Sequence, residues 1–256
     1  MNDARHEEVI REMARQVVVA AHSGGEGHVP SALSILDILY ALYFCTDLKI
    51  GDSDNFILSK GHASLGYYAV LSVKGLIPAD WVDSFAKFDS PYGGHPHRLK
   101  INGVTASTGS LGHGLPIAVG MALAEKNKNI PGRTFVLLGD GEINEGTTWE
   151  ASLFAIHHSL VGLTAIVDYN CSGNRAIDLE KLESKFIGIG WNVLTVDGHN
   201  LGELIESMKE QASAKPTMII ANTIKGFRIK EMENNPAWHH TKVNSQNLSK
   251  FLEELS

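Results

Sequence analysis

The chain has 256 residues, 43 % apolar and 20 % charged, which suits one large globular domain. Its 29 acidic and 22 basic side chains give a formal charge of −7, and no block of Lys or Arg is present to neutralise a nucleic-acid backbone. No stretch reaches the ~18 apolar residues of a membrane span, and the first residues lack the apolar core of a signal peptide. We expect neither nucleic acid nor a membrane as partner, and a cytoplasmic location.

In chain order, helical and strand-like patterns alternate. Helix-period patterns at 5–21 and 31–44 flank a glycine-rich loop at 23–30. Short apolar runs that end in polar or glycine residues, as buried parallel strands do, follow at 56–58, 134–138, 163–167, 193–196 and 217–222. Further helical patterns lie at 61–74, 112–127, 147–158, 178–187 and 201–213. This order predicts an α/β fold with a parallel sheet and helices on both faces.

The end of the chain differs from the rest in composition. Residues 231–245 are polar and contain a proline, and a short amphipathic segment follows at 246–255. We therefore expect one domain at 1–230 and a C-terminal extension at 231–256.

A carboxylate follows one of the predicted strands directly. Asp140 stands between Gly139 and Gly141 after the apolar run at 134–138, where the glycines would let a ligand approach the backbone closely. Asn170 follows the next strand of the same βαβ unit. If the two strands are neighbours, their axes lie ~4.8 Å apart, and both side chains can reach one cation. Oxygen ligands at ~2.0 to 2.1 Å suit magnesium, which completes its octahedron with water and phosphate oxygens. The pattern thus indicates a metal and diphosphate site.

The GDG triplet followed by a distant strand-ending Asn resembles the thiamine pyrophosphate motif and, with its context, the transketolase family. Four further stretches resemble this family and occur in its order: GHVPSALS at 27–34, ILSKGHA at 57–63, ASTGSLG at 106–112 and ENNPAWH at 233–239. The resemblance implies thiamine pyrophosphate and Mg²⁺ as cofactors, with Ca²⁺ or Mn²⁺ as substitutes. It makes 1–230 the pyrophosphate- and magnesium-binding domain.

The family's functional residues transfer to this chain position by position. The metal ligands would be the Asp140 and Asn170 side chains and the Ser172 backbone carbonyl, and Glu145 would join carboxylates across a subunit contact. The cofactor would lie against Gly109, Ser110, Leu111, Gly139, Asp140, Gly141, Glu142, Asn170, Lys225 and His62.

Four of the twelve histidines stand in family contexts. The resemblance places His28, His62, His95 and His239 along a reaction channel, where imidazole, with an unperturbed pKa of ~6.5, can move protons at neutral pH. We assign the remaining histidines to solvated, turn, packing or capping positions, and we leave His113 open between a site near the cofactor and an ordinary position. The assignment to solvated or turn positions covers His6, His22, His97, His199 and His240.

A full-length transketolase continues into a pyrimidine-binding domain and a C-terminal domain, and this sequence ends at Ser256 without either. The resemblance therefore implies the first subunit of a split transketolase, a transferase acting on sugars or sugar phosphates. It would be active only with a second subunit that carries both missing domains, as two copies of each chain. The glutamate that activates the cofactor belongs to that second subunit.

The segment after Asn170, CSGNRAIDL, is about five residues shorter than the resemblance implies and leaves the third metal ligand and the substrate open. Two other functions also stay open. The first is the α chain of a 2-oxoacid dehydrogenase, although the SKGHAS and NNPAWH contexts disfavour it. The second is a non-catalytic regulatory subunit that binds thiamine.

Overall fold

A five-stranded parallel sheet forms the centre of the chain. The computed structural model describes residues 3–209 and 214–256. The strands are β1 (Asn55–Leu58), β2 (Thr134–Gly139), β3 (Leu163–Tyr169), β4 (Asn192–Asp197) and β5 (Thr217–Asn222). They lie in the order β1-β2-β3-β5-β4, and every neighbouring pair is parallel. The predicted parallel sheet is confirmed, and each predicted strand is found within one or two residues of its expected bounds.

Helices cover both faces of this sheet, as predicted. The helices are α1 (Asp3–Gly24), α2 (Val29–Leu33), α3 (Leu36–Tyr40), α4 (Ser64–Val73), α5 (Trp81–Ser84), α6 (Gly114–Lys128), α7 (Gly146–His157), α8 (Leu182–Ile189), α9 (Leu201–Lys209) and α10 (Ser245–Glu254). One apolar core joins α1–α4, α9 and α10 to the sheet, and a second joins α6–α8 to its other face. Side chains alternate across each strand, so a strand such as β2 contributes to both cores.

The single helix predicted at 31–44 is wrong. The chain instead forms α2, α3 and a π-helical turn at Ala41–Cys45. The break falls at Ser34 and Ile35, where the Ser34 hydroxyl donates to Asp168 Oδ2 at 2.8 Å. This contact directs α2 towards the carboxyl edge of the sheet.

Two other helices differ from their predicted bounds. The helix predicted at 178–187 begins only at Leu182, because Lys181 before it adopts a left-handed conformation with φ of 56°. Leu201–Lys209 confirms most of the helix predicted at 201–213, whose last four positions lie outside the described residues.

The C-terminal segment packs onto the first helix. Phe251 and Leu255 belong to the same apolar core as α1, and Arg15 of α1 donates to the Leu255 carbonyl at 2.5 Å. The predicted division at residue 230 stays a prediction. Among the described residues, no helix is long and apolar enough to cross a membrane.

Candidate active site

The predicted metal ligands converge at the carboxyl edge of the sheet. Strands β2 and β3 are neighbours, with Gly139 paired to Asp168, so Asp140 and Asn170 leave adjacent strands. The Ser172 hydroxyl lies between them and donates to Asn170 Oδ1 and, at 3.3 Å, to Asp140 Oδ1. Three oxygens thus meet in one corner of the molecule.

This corner fits a hard divalent cation. Its donors are one carboxylate and neutral oxygens, the set with which Mg²⁺ retains water and binds phosphate. Among the described residues, no group of three or more His, Cys, Asp or Glu side chains could hold a metal. A softer metal of the zinc type therefore has no competing site in the described part of the chain. Ser172 contributes its hydroxyl to the corner, and metal binding through its carbonyl stays a prediction.

Asp168, to which the sequence analysis assigns no role, fixes the orientation of Asn170. Its fully buried carboxylate accepts a hydrogen bond from Asn170 Nδ2 at 2.9 Å, so the amide oxygen of Asn170 faces Ser172. Asp168 also accepts from Ser34, Lys60 and Thr223. Burial alone would raise its pKa, but the Lys60 charge and these hydrogen bonds hold the pKa of Asp168 below its ordinary value.

Glu142, predicted to contact the cofactor, connects two loops of the site to β2 by hydrogen bonds. Its carboxylate accepts from the backbone N–H of Gly112 at 2.8 Å and of Gly139 at 3.2 Å, and from the Ser59 hydroxyl. Burial raises its pKa, although these donors oppose the shift. Glu142 therefore ties the ASTGSLG and SKGHA loops to the end of β2.

A cavity of about 560 Å³ opens above the metal corner. Ten of the predicted site residues line it: His62, Leu111, Gly139, Asp140, Gly141, Glu142, Asn170, Ser172, Lys225 and His239.

The other five predicted residues lie outside this lining. His95 is exposed and packs on Gly109, since a Cβ at Gly109 would lie 3.0 Å from its ring. Ser110 is exposed at the next position of the same loop. Glu145 is an exposed residue at the start of α7, so its role in a subunit contact stays a prediction. The ring of His28 packs against the rings of His62 and His239, which themselves line the cavity.

The histidines form a cluster centred on His28. Its ring centroid lies 5.1 Å from that of His62, 5.4 Å from that of His239 and 4.7 Å from that of His240. Burial and the neighbouring histidines lower the pKa of His28 to about 4. Burial and Lys60 lower the pKa of His62 to about 2. Both rings are therefore neutral near pH 7, so each can donate one hydrogen bond and accept another.

Lys225 links the metal corner to the histidine cluster. Its ammonium donates to Ser172 Oγ at 3.2 Å and lies 3.2 Å from His239 Nδ1. Burial and the charge of Lys60 lower the pKa of Lys225 to about 8. The loop that carries Lys225 is held by Arg228, whose guanidinium donates twice to the buried Asp37, at 2.7 and 2.9 Å.

Sequence reasoning misses several of these groups. It assigns His240 to a solvated or turn position, and although this residue is exposed, its ring is a member of the histidine cluster. His199 has the same assignment, yet its largely buried ring contacts Asp37 Oδ2 through Nδ1 at 2.8 Å. Lys60 enters the sequence analysis only as part of SKGHA. The alternation of strand side chains offers one signal, because Asp168 and Asn170 are two positions apart and point to the same side of β3.

The fold and site define a class of α/β protein with its ligand cavity at the carboxyl edge of a parallel sheet. Residues 2–255 match the family described as transketolase, thiamine diphosphate binding domain. The chain belongs to this family, which confirms the predicted resemblance and supports thiamine pyrophosphate as its cofactor.

Several relatives are themselves single subunits. The chain is 38 % identical to a subunit of the apulose-4-phosphate transketolase of Actinobacillus succinogenes, over 93 % of this chain and 91 % of that protein. It is 37 % identical to a 6-deoxy-6-sulfo-D-fructose transketolase subunit of a Clostridium species, over 90 % of this chain and 89 % of the relative.

Solved structures of longer transketolases have the same fold. The enzyme from Leishmania mexicana superposes with a TM-score of 0.86 at 25 % identity, covering 100 % of this chain but 41 % of that one. The enzyme from Campylobacter jejuni gives 0.86 at 27 % identity, over 96 % and 42 % of the two chains. The chain thus spans about two fifths of these enzymes.

Proposed function

We propose that this chain is the subunit of a two-chain transketolase that binds thiamine pyrophosphate and magnesium, and that the pair transfers a two-carbon ketol unit from a ketose to an aldose. The observation that carries the proposal is that one cavity is lined both by the oxygens of the metal corner and by His62 and His239, two members of the histidine cluster. The first suits a diphosphate and the second suits a polyhydroxylated substrate.

The side chains of the cavity would have different roles in binding the cofactor and the substrate. Asp140 and Asn170, with Ser172, would hold the cation, and Lys225 would add positive charge beside the diphosphate. Thiamine pyrophosphate, when bound, would supply the carbanion chemistry of ketol transfer. His62 and His239 would donate and accept hydrogen bonds at substrate hydroxyls.

The exposed histidine and loop residues support a shared active site. His95 and Ser110 are open to solvent on loops beside the cavity, where a second chain with the pyrimidine-binding domain would cover them. Two relatives of similar length are themselves named as subunits. We propose two copies of each chain, with Glu145 at the contact between the cofactor sites. A cytoplasmic location stays a prediction.

The substrate is a sugar or a sugar carrying an anionic group. The two subunit relatives carry names that include a phosphorylated and a sulfonated sugar. The matched family disfavours a 2-oxoacid dehydrogenase, and the convergence of Asp140 and Asn170 disfavours a non-catalytic regulatory subunit.

The test is to isolate the complex formed by the tagged chain, identify the bound polypeptide and assay the pair for ketol transfer with Mg²⁺ and thiamine pyrophosphate. We expect transfer that needs both chains and both cofactors. Transfer by the purified chain alone would contradict the two-chain proposal, and decarboxylation of a 2-oxoacid by the pair would contradict the assigned reaction.

A further inference from the structure

A short turn after the metal corner carries an arginine to the wall of the cavity. The segment that is shorter than the family resemblance implies forms a 3-10 turn at Gly173–Arg175. Gly173 N donates to Asp140 Oδ2 at 3.1 Å, and a Cβ at Gly173 would lie 2.6 Å from Gly141 N. The turn therefore packs directly on the GDG corner, and Arg175 lines the cavity two residues later.

The charge of Arg175 has no counterion among the residues that the structure describes. Its side chain is exposed, and no carboxylate of the described chain lies within 4.0 Å of it. Arg175 lines the same cavity as Lys225 and His239.

Most other charged groups of the cavity already have partners. Lys60 is paired with Asp168, and Glu142 accepts from two backbone N–H groups. Asp140 accepts from backbone N–H groups at 2.7 and 3.1 Å, and a divalent cation at the corner would outweigh its single negative charge. Arg175 and Lys225 are thus the two cations of the cavity lining that have no carboxylate within 4.0 Å among the described residues.

We propose that Arg175 binds a phosphate-type anion of a molecule held in this cavity and helps to determine specificity. The proposal rests on the proposed function. A guanidinium offers a planar pair of donors that matches phosphate oxygens, and it keeps its charge at every working pH. The anion is either the diphosphate of the cofactor or the anionic group of the sugar, and binding experiments distinguish the two.

Three variants of the full chain, each combined with its partner subunit, test this. Arg175→Gln removes the charge and the paired donors, whereas Arg175→Lys keeps the charge alone. Lys181→Gln is the matched control, because Lys181 is an exposed cation six residues after Arg175 and outside the cavity lining. Calorimetry measures the Kd of Mg²⁺ with thiamine pyrophosphate and of Mg²⁺ with inorganic pyrophosphate. Kinetics measure KM for an active donor sugar with and without its anionic group.

Two results support the proposal. If the cofactor is the source of the anion, Arg175→Gln weakens both pyrophosphate ligands by about tenfold, the loss of ~1.4 kcal/mol expected for one charge-assisted contact, and Arg175→Lys recovers part of it. If the sugar is the source, KM rises only for the donor that carries the anionic group. In both cases Lys181→Gln behaves as wild type.

The proposal is overturned if Arg175→Gln leaves both Kd values and the ratio of the two KM values unchanged. Failure of the proposed function is distinguishable, because a wild-type pair without ketol transfer would disprove that function while the pyrophosphate titration still decides the role of Arg175.

Discussion

The buried ion pair between Lys60 and Asp168 makes a sharp prediction about stability. The two side chains are 2 % and 0 % exposed, and removing one partner of such a pair costs ~3–5 kcal/mol, because the other charge stays buried without compensation. We therefore expect Asp168→Asn to lower the free energy of unfolding by about that amount. Lys60→Met should cost a similar amount for the same reason.

The double variant separates charge pairing from loss of packing. Because it leaves no unpaired charge, it should cost less than the sum of the single variants, with a coupling energy of ~2 kcal/mol or more. Urea unfolding followed by circular dichroism at pH 7 measures all four proteins. Glu206→Gln is the control, since it breaks an ion pair whose side chains are 53 % and 76 % exposed and should cost at most ~0.5 kcal/mol. Single costs that add within ~0.5 kcal/mol would refute the reasoning.

Three further predictions concern the site. Gly173→Ala should weaken binding of Mg²⁺ with thiamine pyrophosphate at least ~10-fold in calorimetry, because its Cβ would lie 2.6 Å from a backbone nitrogen. In Gly188→Ala the added Cβ would have no atom within 4 Å on helix α8. This variant should instead raise the free energy of unfolding by ~1 kcal/mol. Glu142→Gln should cost ~1–3 kcal/mol in urea unfolding, since an amide cannot satisfy three donors, whereas the exposed Glu150→Gln should cost little. Burial lowers the pKa of His62 to about 2. Below pH ~6.5 the unfolded chain therefore binds a proton that the folded chain does not. The free energy of unfolding consequently decreases as the pH drops from 7.5 to 5. In His62→Gln, the thermal midpoint should depend less on pH over this range; an equal dependence would contradict the prediction.

The central strands of the sheet, β2, β3 and β5, were predictable because they are buried. Residues 134–138 and 163–167 are continuous apolar runs whose side chains pack into both cores, and such runs are typical of parallel strands between helices. The break at Ser34 was not predictable, because the partner of its hydroxyl is Asp168, 134 positions further along the chain. A local helical period contains no information about that contact.

The site shows the same division between local and distant information. Asp140 and Asn170 were predictable because each directly follows a strand, and parallel strands end at the same edge. The roles of Lys60 and His240 depend on which distant segments meet them, namely Asp168 in one case and His28 in the other. The sequence alone gives Arg175 no role, because its position in the cavity lining depends on the turn at Gly173–Arg175.

Asp168 connects the predicted metal corner to several strands of the sheet. Its carboxylate accepts from Lys60 just after β1, from Asn170 just after β3 and from Thr223 just after β5. One buried group thus fixes residues that follow three strands of the same sheet. The loop of His95 is held separately, because the buried Ser64 and Tyr68 hydroxyls donate to the Gly93 carbonyl at 3.3 and 3.0 Å. It follows that the side chains of the predicted metal corner are held in place by contacts within this chain.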